Sequence, residues 1–197
     1  MSKITWKPGT LVAPVPAAMV SCGNMEKPNI ITIAWTGNIC SGSSPKVYIS
    51  VRPERYSYGL IKESGEFAIN LTTAALVRAA DFCGVKSGRE LDKFAHLGLT
   101  PLPAKELSCP IIGESPVSLE CRVTDIIPLG VHDMFLADVV AVQVEEEYLD
   151  ESGRLRLDKC HLAAYAHGEY FALGKKVGSF GFSVKKKRKR TAPHGKR

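Results

Sequence analysis

Residues 46–61 read KVYISVRPERYSYGLI. Val47, Ile49 and Val51 alternate with Tyr48, Ser50 and Arg52, the period of a strand with one buried face. Pro53 turns the chain, and Ser57 to Ser64 carries a short helical pattern that Gly65 should terminate. This strand–turn–helix places Arg52 and Arg55 just before a helix start, with Ser57 as the expected N-cap. Two guanidinium groups, a hydroxyl and the positive end of a helix make an anion site suited to a phosphate. The segment also reads as a plain capped helix after a proline turn, with both arginines solvated.

The same strand signal repeats on either side. Asn29 to Thr36 sets Thr32, Ala34 and Thr36 against Ile31, Ile33 and Trp35. Val117 to Thr124 sets Val117, Leu119, Cys121 and Val123 against Ser118, Glu120, Arg122 and Thr124, predicting a half-buried strand. His132 to Val144 is apolar on both faces, as a central strand between two packed layers would be. Helices are fewer and short. Thr73 to Cys83 spaces Leu76, Ala79, Ala80 and Cys83 at three and four and should end at Gly84. Ser87 to Leu97 opens on a capping-box pattern, Ser-Gly-Arg-Glu, and should end at Gly98. Many short strands without regular strand–helix alternation argue against a doubly wound parallel sheet. They predict a mainly β fold, a closed or nearly closed antiparallel barrel with short inserted helices.

The chain has 197 residues, 45% hydrophobic and 23% charged, which is ordinary for one globular domain. Its longest apolar stretch, Met134 to Val144, is interrupted by Asp138 and is too short to span a bilayer. The opening MSKITWKPGT has no apolar core of a secretory signal, so a cytoplasmic location and no membrane partner are expected. The formal net charge is +6, but residues 185–197 hold eight Lys or Arg and no acid. Without them eighteen basic residues face twenty acidic ones, so the basic character belongs to the tail. A domain over 1–184 and a flexible basic tail over 185–197 follow. The tail reads first as a solvated charge run. Nucleic-acid contact through it is the alternative, and a nucleic-acid partner is not expected, because no aromatic interleaves the charges.

No two of the six cysteines are closer than twelve residues, and the histidines lack HxH or HxxxH spacing, so no metal site is expected. All six thiols are expected to be reduced. GxGxxG, GxxxxGK[ST] and GxSxG are all missing from the sequence, which removes the usual signals of a dinucleotide fold, a P-loop and a serine hydrolase. If a phosphorylated ligand binds, a barrel holds it, with room for a larger aromatic part beside Trp35.

The succession NIITIAWTG and SGSSPKVYISVRPERYSYGLIKESGEFAINL, followed by SGRELDKFAHLGLT, IIGESPVSLECRV, GVHDMFLADVVAV and AYAHGEYFALGKKVG, resembles the flavin reductase-like FMN-binding split barrels. That group contains flavoredoxin and the related ferric reductases, and the resemblance runs from about Pro14 to Gly178. It implies a split β-barrel homodimer holding FMN, with both subunits lining the groove. It also implies FMN-dependent oxidoreduction fed by NAD(P)H or a protein donor, with a flavin, ferric or protein acceptor. By position it assigns Ala34, Trp35 and Thr36 to the flavin-contacting strand, and Ser50, Val51 and Arg52 to ribityl and phosphate contacts. Arg55, Ser57 and Tyr58 match the phosphate-binding turn, Lys93 and Phe94 a pair near the flavin edge, and His132 a histidine at the site. Tyr165, His167 and Tyr170 match a segment that approaches the ring. Lys93 and His132 are the candidates to tune the flavin, which itself performs the chemistry. Structural readings stand beside these: Trp35 as a core aromatic, Lys93 as an exposed charge, His132 as paired with Asp133 or a carbonyl, and His167 as a turn residue. A non-enzymatic barrel for another phosphorylated or aromatic ligand is the alternative function.

Overall fold

The computed structural model describes residues 1–185, so the expected basic tail lies, from 186 onward, outside the described residues. The chain forms β1 (Val15–Pro16), β2 (Ala18–Gly23), β3 (Pro28–Ile33), β4 (Thr36–Cys40), β5 (Lys46–Val51), α1 (Tyr56–Ser64) and β6 (Glu66–Asn70). There follow α2 (Val77–Val85), α3 (Lys93–Leu97), β7 (Pro101–Pro103), β8 (Pro110–Ile112), β9 (Val117–Pro128), β10 (Asp133–Val144), β11 (Ala163–Ala166) and β12 (Glu169–Ala172). Seven strands make one antiparallel sheet in the order β3-β2-β6-β9-β10-β5-β4. The fold is mainly β, as expected.

The sheet's two edge strands, β3 and β4, are consecutive in sequence and joined only by Ala34 and Trp35. A sheet whose edges are linked by two residues must roll up, and the roll is the barrel. This corrects the continuous strand expected over Asn29 to Thr36. The ladder with β2 ends at the pair Ala18 and Ile33, and the chain crosses to pair Thr36 with Ile49. Between them the Trp35 carbonyl accepts from the Ser50 amide at 2.9 Å.

Alternation along the strands divides two cores. Val20, Ile31, Ile49, Val51, Phe67 and Phe135 point inside, where α1 adds Ile61. Met19 and Ile30 point outside and are covered by Leu76, Ala80, Cys83 and Phe94 from the α2–α3 region. Burying such side chains stabilises by roughly 1.5–3 kcal/mol each, so both faces of β2 and β3 contribute.

Three local expectations change. Ser57 is not the N-cap: Arg55 caps α1 without a side-chain bond, and Ser57 is the second residue of the helix's first turn, 3% exposed. Gly84 does not end α2, which runs through Val85. Ser87 to Leu97 is not one helix. Ser87–Glu90 forms a turn closed by the Glu90 amide on the Ser87 carbonyl at 3.2 Å, and Asp92 caps the short α3 instead. Gly65 and Gly98 do end their helices, each in the left-handed conformation (φ 69° and 65°) that lacks a Cβ penalty.

The outward face of β9 also departs from expectation. Ser118 and Glu120 are buried, 2% and 0% exposed, because the segment carrying β7 and β8 crosses over them. The Glu120 carboxylate accepts from the amides of Lys105 (2.9 Å) and Glu106 (2.7 Å) and from the Gln143 side chain (2.7 Å). Alternation within a strand cannot reveal a second layer supplied by a distant segment.

Candidate functional site

A cleft runs along β3 and the Ala34–Trp35 crossing. Its central cavity, about 160 Å³, is walled by Ile31 to Trp35, by Ser50 to Arg52, and by Arg55 and His132. Residues Ile31 and Arg55 are shared with a second cavity of about 340 Å³ between the start of α1 and the turn after α2. Thr32, Ala34 and Trp35 are shared with a third, also about 340 Å³, which reaches Asp81, Tyr165 and Tyr170. Beyond it, a fourth involves Trp35, Tyr165 and His167 with residues 10–13.

The second cavity carries an excess of positive charge. Arg55, Lys86, Arg89 and Lys93 bring four cations to it, against the carboxylates of Glu54 and Glu90. Glu54 is drawn toward Arg52, 3.5 Å away. The first amides of α1 have no intrahelical acceptor, and Tyr56 and Ser57 line this cavity. Lys93 is the decisive group: it is 2% exposed, and among the described residues no carboxylate pairs with it. Its ammonium donates to the carbonyls of Ile30 (2.7 Å) and Cys83 (2.9 Å), which leaves a third N–H. Burial, with a lesser push from Arg55, lowers its pKa. A buried cation without a counter-ion is costly unless an anion arrives to pair with it.

The neighbouring polar groups are fixed. Asn29, 3% exposed, donates to the Ser57 hydroxyl at 2.7 Å. Gly88 lies so close that a Cβ there would sit 2.0 Å from Asn29 Oδ1. Burial pushes the thiols of Cys22 and Cys83 up to about 11, so both stay protonated near neutrality. All six cysteines are free thiols, and Cys40 is the exposed one.

In the central cavity the His132 ring stands against Trp35, with centroids 4.6 Å apart and planes tilted by 55°. Desolvation and Arg52 lower the His132 pKa, which favours neutral imidazole. Trp35 is 41% exposed and is therefore a rim residue, not a core one.

The structure thus brings Ala34, Trp35, Ser50, Val51, Arg52, Arg55, Ser57, Lys93, His132, Tyr165, His167 and Tyr170 to the cleft. Three expected residues are committed elsewhere. The Thr36 hydroxyl donates to the Tyr48 carbonyl, Tyr58 donates to Asp133 at 2.7 Å, and Phe94 packs in the outer core. Asn29, Lys86, Gly88, Arg89 and Asp81 were not expected. Ser-Gly-Arg reads as a helix start, and the clue to its role is the glycine, which admits the close approach of Asn29.

This architecture and cleft define a flavin reductase-like split barrel. The family model for the flavin reductase like domain matches residues 11–174, and the chain belongs to that family. The flavoredoxin of Desulfovibrio vulgaris (Miyazaki F) is 33% identical, superposes with a TM-score of 0.86, and aligns over 93% of this chain and 100% of its own. An FMN-binding protein from Thermus thermophilus is 25% identical with a TM-score of 0.74, over 91% of this chain and 98% of its own. An NADPH-flavin oxidoreductase of Streptomyces viridifaciens is 28% identical over 142 residues, 72% of this chain and 68% of that protein. The family supports a flavin-related redox function. No helix of the described residues is long and apolar enough to cross a membrane.

Proposed function

We propose that the protein is an FMN-dependent oxidoreductase of the flavoredoxin and flavin reductase type. The observation that carries this is the buried Lys93, with no carboxylate partner among the described residues, in a cavity with four cations and two carboxylates. A phosphate monoester carries about −1.5 to −2 charges at pH 7 and would meet that excess. In this reading Lys93, Ser57, Arg55 and the first amides of α1 hold the phosphate. Ile31 to Trp35 and Ser50 to Arg52 flank the ribityl chain and ring, with His132 and Trp35 at the ring.

Bound FMN would supply hydride or electron transfer between NAD(P)H or a protein donor and a flavin, ferric or protein acceptor. The chain's own residues bind, orient and tune it. Of the two candidates for tuning, His132 lines the central cavity and Lys93 the cationic cavity. His132 is therefore assigned to the ring and Lys93 to the phosphate. The exposed Trp35 rim supports a second copy of the chain completing the groove, as a homodimer.

The visible spectrum of purified protein, before and after FMN addition and desalting, tests the cofactor. A retained flavin spectrum supports the reading, and anaerobic titration with NADH and NADPH then identifies the donor. A protein that stays colourless after loading sinks it. Measuring the flavin reduction potential in His132→Ala and Lys93→Ala tests the division of roles. A fall in potential is expected for His132→Ala, with weaker retention but little change in potential for Lys93→Ala. The reverse pattern would exchange the two roles.

A further inference from the structure

The two ends of the cleft differ in chemistry. The cationic cavity gathers Arg55, Lys86, Arg89 and Lys93, whereas the cavity that Trp35 shares with Tyr165 and Tyr170 has Asp81 as its one charged wall residue among the described residues. Around Asp81 stand aromatic rings. Tyr165 and Tyr170 meet edge to face with centroids 5.3 Å apart, and Trp35 and Val85 also line the cavity. The Tyr170 hydroxyl donates to Asp81 Oδ1 at 3.2 Å, and Oδ2 has no protein donor among the described residues. Burial and the Asp81 charge push the Tyr170 phenol up to about 12, so it remains a donor and adds no negative charge of its own.

Three aromatic faces and one carboxylate are the elements that recognise a flat organic cation. The ring quadrupoles attract positive charge over their faces, and the free carboxylate oxygen takes a hydrogen bond or an ion pair at the rim. An anionic ring of the same size would lose both interactions and be repelled by Asp81.

We propose that this cavity is the site of a second ligand beside the flavin, and that it selects flat heteroaromatic cations, with Asp81 as the specificity-determining residue. The placement beside the flavin rests on the function proposed above; the recognition of the cation does not. Asp81 lies on the solvent side of α2, where an asparagine keeps the shape and the Tyr170 contact while removing the charge.

Three probes of similar size separate the contributions: N-methylquinolinium as the cation, quinoline as the neutral ring and 2-naphthoate as the anion. Each is titrated calorimetrically at pH 8 into the FMN-loaded and the flavin-free protein. The cation should bind about five- to tenfold more tightly than quinoline, with 2-naphthoate weakest. Asp81→Asn should bring the cation to within about twofold of quinoline while quinoline binding is kept. Tyr170→Phe, which retains the ring and Asp81, should keep the preference for the cation. Equal affinities for the three probes in the unaltered protein overturn the proposal, as does an undiminished cation preference in Asp81→Asn. A protein that holds FMN and shows no preference loses this inference alone. One that holds no FMN and keeps the Asp81-dependent preference upholds the recognition and overturns the flavin reading.

Discussion

The Asn29 side-chain amide donates to the Ser57 hydroxyl across 2.7 Å, joining the start of β3 to the first turn of α1. Both residues are buried, and the bond sets where the hydroxyl stands at the edge of the cationic cavity. Replacing Ser57 with alanine leaves a buried donor without that partner, at a cost of about 1–3 kcal/mol. In a chain of this size the midpoint of thermal unfolding should fall by roughly 2–10 °C. Flavin retention should weaken in parallel, read by fluorescence titration with FMN. Ser57→Thr, which keeps the hydroxyl, should recover most of the binding.

Gly88 is predicted to be intolerant of any side chain. A Cβ would sit 2.0 Å from Asn29 Oδ1, 2.8 Å from its Cγ and 3.0 Å from Tyr56 Cδ1. Asn29 is walled in and cannot rotate away without losing Ser57. Gly88→Ala should therefore reduce FMN affinity about as much as Ser57→Ala does. Affinity equal to that of the unaltered protein would mean that the 87–90 turn moves freely.

Lys93 links cofactor and pH. Its pKa in the folded, flavin-free protein lies below the ordinary value of 10.5, so the unfolded chain binds the proton more tightly. Stability of that form should rise with pH between the lowered pKa and 10.5, because the charged lysine opposes folding below that window. Lys93→Met should flatten this slope. An anion in the cavity favours the charged lysine, so loaded protein should also show a shallower slope. Thermal midpoints of loaded, unloaded and Lys93→Met protein from pH 7 to 10 provide the comparison. FMN affinity of Lys93→Met should fall at least about tenfold, the loss of a charge-assisted hydrogen bond.

Glu120 gives a prediction about the fold alone. Its carboxylate is the acceptor for two loop amides and for Gln143, and it is fully buried. Glu120→Ala orphans those donors and should cost about 2–4 kcal/mol, measured by urea unfolding. Glu120→Gln keeps an acceptor and the shape but must offer an NH₂ to one of the same donors, so it should recover only part of the loss.

Much of this architecture is legible along the chain. The alternation in Lys46–Val51 places Val47, Ile49 and Val51 inside, and the glycines at 65 and 98 stop their helices as read. The arginines beside α1 read as cations gathered at a helix start, and Arg55 does line a cavity with Lys86, Arg89 and Lys93. The cap of α1 falls on Arg55 rather than Ser57. Ser57 has the right chemistry for an N-cap, but its hydroxyl is claimed by Asn29, a partner 28 residues away. Lys93 reads equally as a surface charge on a short helix, because nothing within α3 says that β3 and α2 will enclose it.

Period and punctuation along the sequence determined most of the strands, the helix ends at Gly65 and Gly98, and the turn that carries Arg52 and Arg55 to the start of α1. These depend on backbone sterics and side-chain spacing over three or four residues. Tertiary structure alone decided that the sheet edges meet at Trp35, that Glu120 faces a second layer instead of water, and that Lys93 is buried with no carboxylate partner among the described residues. It also decided that Asp81, Tyr165 and Tyr170 share a cavity. The physical reason is range: the Asp81–Tyr170 bond spans 89 residues of chain and the Lys93–Ile30 bond spans 63, and a local pattern carries no term for such partners.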